Sequence, residues 1–294
     1  MKKNYFVLLL VLIVGASCYA QQDKVLKRKV AIGRFSNETQ YAKSVFYDKE
    51  NDPMGKQASD ILSARLAASE KFLFIERQDF DKIVAELKTG GGVSQKIGAD
   101  YLIIGSITEF GRKTVGNQKV FSNSKEQIVE AAVTVRLVDV STGLIIYSGE
   151  AKGEATAQDK RVMGFGKTAD FDATLSDKAI SAAITKLVEN IINKCMDSPW
   201  KAYLLSVEED VYIMSGGETQ GIRVGDEFSI IEKGKSVKNP QTGLLIELPG
   251  KVVASIKVIQ TLGDTPESEV SMASLIDGSI DTAQLEKYYI TQKQ

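Results

Sequence analysis

The chain has 294 residues, of which 43% are hydrophobic and 26% charged, and its formal net charge is -1. This balance suits a globular protein and gives no indication of the basic face that nucleic-acid binding requires. The absence of histidine excludes Ser-His-Asp and Cys-His catalytic groups and every metal site that contains histidine. We expect neither a cofactor nor a metal ion.

Residues 1 to 20 have the layout of a bacterial export signal. Two lysines precede an apolar run over residues 6–14, and small residues follow it. The run is shorter than the roughly 20 residues that a membrane-spanning helix needs. We therefore expect a signal peptide over 1–20 that directs the chain to the cell envelope.

Two cleavage sites compete at the end of this signal. Cleavage after Ala20 has small residues at the usual places and predicts a mature chain that begins at Gln21. The alternative is cleavage before Cys18, which would leave a cysteine that can be lipidated. Lipoprotein signals usually carry a branched apolar residue three places earlier, where this chain has Gly15, so lipidation of Cys18 is the less favoured of the two.

The next part of the chain alternates strands with amphipathic helices. Its predicted elements, in order, are a strand over 27–35, a helix capped by Asp52, a strand over 72–77, a helix from Phe80 to Leu87, a strand over 99–110, a hairpin over 130–151 and a long helix from Ser176. This order predicts an α/β domain over 27–196, built on one mixed sheet with flanking helices.

The helical periodicity ends at "MDSPW" (196–200). Short strands separated by turn residues follow it, in "AYLLSV", "DVYIMS", "DEFSIIEK", "LLIEL", "KVVASIKVIQTL" and "ESEVSMAS". Regular short strands with glycine-containing turns predict a small all-β, barrel-like domain over 200–285. We expect residues 286–294 to form a tail.

No group of residues has the pattern of a catalytic centre. Cys195 continues the apolar stripe of the long helix, so we expect it in the core rather than as a nucleophile. Carboxylates such as Glu38 and Asp48 lie in a polar loop, where acidic side chains are usually solvated. The sequence therefore predicts a protein that is not an enzyme.

Four blocks of the chain, "VAIGRFSNET", "FLFIERQDFDKIVAEL", "IGADYLIIGSITEF" and "VRLVDVSTGLIIYSGEAKGE", resemble the curli secretion protein CsgG and its family. The resemblance runs over residues 28 to 195. Its motif positions are Glu76, Arg77, Gly98, Ala99, Asp100, Gly105, Ser141, Thr142 and Gly143. The part that contains "GGETQGIRVGDEF" is similar to the small C-terminal domain of flagellar assembly protein T.

In the curli protein the family fold forms a ring, and two hairpins from each subunit build an outer-membrane barrel. The resemblance places these hairpins near residues 111 to 129 and 152 to 175. A membrane strand needs about 9 to 11 residues with apolar side chains at alternate positions. Charged residues occupy both registers of each segment, as Arg112 and Lys113 do in the first. We therefore expect the chain to lack a transmembrane barrel of its own.

The resemblance implies a non-enzymatic envelope protein, in the periplasm or at the periplasmic face of the outer membrane. It would serve curli-like assembly or secretion by binding other envelope or secreted proteins, as a homo-oligomer or with peripheral attachment to the outer membrane. Two alternatives stay open. One is a periplasmic regulator of cell-wall synthesis that activates a penicillin-binding protein, and the other is a full CsgG-type oligomeric secretion channel.

Overall fold

The computed structural model describes residues 25–39, 52–77, 85, 98–119, 122–162, 174–241, 243, 245–266 and 268–293. Within these ranges the buried apolar side chains form two large groups, each of which belongs to one sheet. One sheet is mixed and carries the helices, and the other is antiparallel. The mixed α/β architecture that the sequence predicts is therefore confirmed.

The first sheet has the strand order β2-β1-β3-β4-β5. Its elements are β1 (Arg28–Asn37), α1 (Pro53–Ala67), β2 (Phe72–Ile75), β3 (Tyr101–Lys119), β4 (Ser122–Asp139), β5 (Ile145–Val162) and α2 (Thr174–Asp197). Strand β1 runs parallel to β2 and β3, whereas β3, β4 and β5 pair antiparallel. Most of the predicted helix from Phe80 to Leu87 lies outside the described residues.

The two helices pack on the sheet through the apolar stripes that the sequence predicts. Asp52 caps α1, because its carboxylate accepts a hydrogen bond from the Gly55 N–H at 2.8 Å, and Pro53 occupies the first turn. Ala58, Leu62 and Leu66 of α1 are fully buried. The buried stripe of α2 consists of Leu175, Ala179, Ile180, Ala183, Ile184, Leu187, Ile191 and Cys195. Among the described helices, none is both long and apolar enough to cross a membrane.

Strands β3, β4 and β5 run much further than the predicted strand over 99–110 and hairpin over 130–151. Their register continues from Gly111 opposite Glu130 to Lys119 opposite Ser122, and β5 follows β4 to Val162. The described parts of the two candidate hairpin segments are thus extensions of the sheet. Most residues of these extensions are polar. They can still form strands, because the hydrogen bonds between strands join backbone groups and do not require apolar side chains.

The second sheet has the strand order β13-β8-β11-β12-β7-β6, and β9 and β10 form a separate two-stranded hairpin. The strands are β6 (Leu204–Glu208), β7 (Val211–Ser215), β8 (Glu227–Glu232), β9 (Ser236–Lys238), β10 (Leu245–Glu247), β11 (Lys251–Leu262), β12 (Val270–Gly278) and β13 (Tyr288–Gln292). Short 3-10 turns occupy Glu218–Gln220 and Leu285–Lys287. The described part of this region contains no α-helix.

The barrel-like shape expected for this region is only partly present. The two edges of the sheet meet at one isolated bridge, in which Ala202 and Ile290 exchange backbone hydrogen bonds of 2.9 and 2.8 Å. Residues 286–294, expected to be a tail, contain β13 and the fully buried Ile290. The segment pairs with β8 because its alternating apolar residues complete the core of this sheet.

Candidate functional site

A cleft of about 400 Å³ lies where the two sheets meet. Its lining residues are 28, 29, 98–101 and 139–141 on the side of the first sheet, and 198, 199, 201 and 203 on the side of the second. The start of β3 and the turn between β4 and β5 form the first wall. The segment after α2 forms the second wall.

Several of the motif positions that carry the family resemblance come together at this cleft. Gly98, Ala99, Asp100 and Ser141 line it directly. The Val140 N–H donates to the Asp100 carbonyl at 3.1 Å, so the β4–β5 turn is tied to the start of β3. Residues more than 40 positions apart in the sequence therefore form one surface, which antiparallel pairing of β3 with β4 creates.

Each of the two carboxylates of the cleft accepts hydrogen bonds from other residues of the chain. Burial raises the pKa of Asp100, although its hydrogen bond from the Lys29 N–H, at 2.8 Å, acts in the opposite direction. Burial also acts to raise the pKa of Asp139, but hydrogen bonds from Ser141 and Thr142 outweigh it and lower that pKa. Their contacts identify Asp100 and Asp139 as residues that shape the wall of the cleft.

Hydrogen bonds and backbone geometry account for the residue types in the turn at Ser141, Thr142 and Gly143. The Ser141 hydroxyl donates to the Asp139 carboxylate at 2.6 Å, and the Thr142 N–H donates to the same oxygen at 3.1 Å. Gly143 has a φ of 71°, which glycine adopts without steric strain. This turn was predicted as the connection of a hairpin, and the structure confirms it.

The remaining motif positions lie elsewhere. A Cβ atom on Gly105 would overlap the Phe35 ring in the core, so Gly105 has a packing role. Glu76 follows β2 and lines a smaller depression of about 250 Å³ next to α1, and Arg77 follows it in the chain. Neither lines the cleft. Cys18 lies outside the described residues.

Sequence reasoning missed the buried arginine of the cleft. Arg28 is only 6% exposed, and its Nη2 donates to the Ser198 carbonyl at 2.7 Å. Burial lowers the pKa of Arg28. The one local signal was a basic residue at an inward-facing position of a predicted strand. Cys195 is buried near it, and burial raises the pKa of its thiol to about 12, so the thiol is protonated at neutral pH.

A second surface lies on β3, β4 and β5. Because side chains alternate between the faces of a strand, Gly153 faces α2, whereas its neighbours Lys152 and Glu154 lie on the opposite face, here called the open face. Glu130 also lies on the open face, directly opposite Glu154. A groove of about 510 Å³ on this side is lined by Glu109, Glu130, Lys152, Glu154 and Lys186, among others.

The lysines of the groove are already engaged by other groups. Lys152 forms an ion pair with Glu109, and the Lys186 ammonium donates to the Lys152 carbonyl at 2.6 Å. Glu130 and Glu154 are both exposed, and like charges directly opposite each other are unfavourable in a sheet. The groove therefore has an excess of negative charge. In the described ranges, no group of three or more acidic or cysteine residues is arranged to hold a metal ion.

Comparison with known proteins gives a family for this architecture. The model of the family described as curli production assembly/transport component CsgG matches residues 16–224. A protein of Neisseria meningitidis serogroup B, whose name describes it provisionally as a lipoprotein, is 32% identical over 186 residues, which are 62% of this chain and 83% of that protein.

Two solved structures have more distant likenesses. A lipoprotein of Neisseria meningitidis is 16% identical, with a TM-score of 0.29, over 58% of this chain and 99% of that one. A PelC dodecamer from Paraburkholderia phytofirmans is 19% identical, with a TM-score of 0.27, over 57% of this chain and 88% of that one.

Proposed function

The protein belongs to the CsgG family of curli production assembly/transport components, and we propose that it is a non-enzymatic cell-envelope protein that serves assembly or secretion of surface material by binding other proteins. The observation that carries this proposal is the charged open face of β3, β4 and β5. In its groove, Glu130 and Glu154 lie opposite each other on paired strands, beside the ion pair of Glu109 with Lys152. Such a face suits recognition of a partner with basic side chains.

The proposed location is the periplasm or the periplasmic face of the outer membrane. Family membership and the lipoprotein name of the Neisseria relative support an envelope location. That name also favours the alternative in which Cys18 is lipidated, against the expected start at Gln21. The intact mass of the protein from its native host distinguishes the two, because a lipid on Cys18 adds a diacylglycerol group.

Deleting the gene in the native host is expected to reduce at least one surface-exposed or secreted protein. Wild-type protein should restore the level of that surface or secreted protein. The double variant Glu130→Gln, Glu154→Gln should restore it poorly, because the variant lacks the two negative charges that lie opposite each other on the open face. The measurement is quantitative comparison of surface and secreted proteins. Both residues are exposed, so the variant should remain folded.

The matched control is Glu208→Gln, Glu286→Gln, which removes two exposed carboxylates from the second sheet region and should restore export fully. Unchanged surface and secreted proteins after deletion would refute the proposed function. If deletion instead altered only the cross-linking of the cell wall, the regulator of cell-wall synthesis would be the correct alternative.

We further propose that the chain does not form a membrane pore by itself. The support comes from the described positions of β3 and β4 on both faces. Arg112 lies on the side of α2, where its guanidinium donates to the Ser176 hydroxyl at 2.9 Å, and Lys113 and Glu130 lie on the open face. A lysine or arginine that faces the middle of a bilayer costs about 2–4 kcal/mol. Repetition around a ring would multiply this cost.

The pore proposal predicts no conductance from the pure mature chain in planar lipid bilayers. The control is a porin reconstituted by the same procedure, which should give stable steps. Large, stable conductance steps from this chain would contradict the proposal and favour the full CsgG-type channel.

A further inference from the structure

The chain crosses between the two groups of buried residues at two places. At the first, Leu26 packs in the group of the second sheet, and Arg28 begins β1 of the first sheet. At the second, α2 ends at Asp197, and Trp200 is buried in the group of the second sheet. We call these segments, 26–28 and 197–200, the two crossings.

The side chain of Arg28 joins the two crossings. Its Nη2 donates to the carbonyl of Ser198 at 2.7 Å, and its Nη1 approaches the carbonyl of Leu26 at 3.5 Å. Tyr101, at the start of β3, lines the same cleft as Ser198. The second crossing is therefore attached to the first sheet by one charged side chain, that of Arg28.

Arg28 occupies this position at an energetic cost. It takes part in none of the ion pairs found in the described part of the chain, and its Nε has no hydrogen-bond partner there. Asp100 lies close enough to attract it, but the Asp100 carboxylate accepts the Lys29 N–H. Burying a charge without a carboxylate partner is unfavourable, and an apolar residue of similar length would avoid that cost.

We propose that Arg28 is a latch that sets the angle between the two sheets and thereby the width of the cleft between them. One wall of the cleft belongs to the first sheet and contains Asp100 and Ser141, and the other contains Lys201 and is the segment that leads into the second sheet. A hydrogen bond from a charged guanidinium to a carbonyl is stronger than one between neutral groups, which suits a single contact that must hold two segments. Arg28 acts as a positioning residue.

The latch is tested by measuring the distance between the two sheet regions. Spin labels are placed on cysteines that replace Leu144 and Val224, both exposed, one beside each sheet. Cys195 is buried and keeps its proton at neutral pH, so it takes no label in the folded mature chain. In the Arg28→Met background, the distribution of label distances should become at least twice as broad as in the unsubstituted protein.

The matched control is Arg136→Met, an exposed arginine on the open face of β4, which should leave the distribution unchanged. Arg28→Lys keeps the charge but has a shorter reach and fewer donors, so it should give an intermediate width. This milder variant keeps the test decisive if Arg28→Met fails to fold.

Two results would overturn the proposal. One is a label distribution in the folded Arg28→Met or Arg28→Lys protein that equals that of Arg136→Met. The other is lower thermal stability with the same narrow distribution, which would show that Arg28 contributes stability without setting the angle. A broad distribution with unchanged far-UV circular dichroism supports the latch, because both sheets then remain folded while their relative position varies.

Discussion

Replacing Gly153 with alanine is expected to lower the free energy of unfolding by about 3 kcal/mol. Gly153 lies on β5 and faces α2, where a Cβ atom would overlap the backbone of Ala179 and Ala183. Backbone atoms cannot rotate out of the way as a side chain can. The helix and the strand would therefore have to move apart, and the packing of Ala179 and Ala183 in the core would be lost.

The measurement is urea denaturation followed by far-UV circular dichroism. Gly111→Ala is the matched control, because Gly111 lies on β3 of the same sheet and a Cβ atom there would meet nothing within 4 Å. Alanine is favoured over glycine in a strand by about 0.5–1 kcal/mol, so the control should be neutral or slightly stabilised. Equal losses in the two variants would show that contact with α2 is not the reason for glycine at 153.

Replacing Trp200 with alanine is expected to cost about 3–5 kcal/mol. Trp200 is 1% exposed, and the centre of its ring lies 5.5 Å from that of Phe228 in the group of the second sheet. Removing the indole leaves a large cavity, which the surrounding sheet cannot close fully. Unfolding is again followed by far-UV circular dichroism, since Trp200 is the one tryptophan of the chain.

Two further variants make this prediction specific. Tyr203→Ala changes a side chain in the same segment that is 54% exposed, and it should shift the free energy of unfolding by less than about 0.5 kcal/mol. Trp200→Phe should cost clearly less than Trp200→Ala, because the indole Nε1 has no hydrogen-bond partner in the described structure. A Trp200→Ala protein as stable as Tyr203→Ala would refute the role of Trp200 in this core.

The helices were predictable because their signals are local. Asp52 lies next to the turn that it caps, and the apolar residues of α2 recur every three or four positions along one continuous segment. The turn at Ser141 to Gly143 was also readable, because its hydrogen bonds join residues within four positions. Each feature depends on contacts inside a short window of the chain.

The strand extensions and β13 could not be derived in the same way. Residues 111–119 and 152–162 lack an apolar alternation, yet β4 supplies backbone partners to both. Ile290 appears in a short segment near the end of the chain, and its burial depends on pairing with β8, about 60 residues earlier. Hydrogen bonding between strands is set by which segments meet in space, and a local pattern does not contain that information.

The sequence alone contained the four blocks that resemble the CsgG family. It also determined the mixed α/β class, the helix faces and the burial of Cys195, because these follow from local composition and spacing. Tertiary structure decided which motif residues share a surface. It brought Asp100 and Ser141 to one wall of a cleft, and it buried Arg28 against the carbonyl of Ser198, 170 positions away in the chain. The physical reason is that a guanidinium becomes buried only through contacts with residues that are distant in the sequence. The residues next to Arg28 in the sequence do not reveal which distant residues these are.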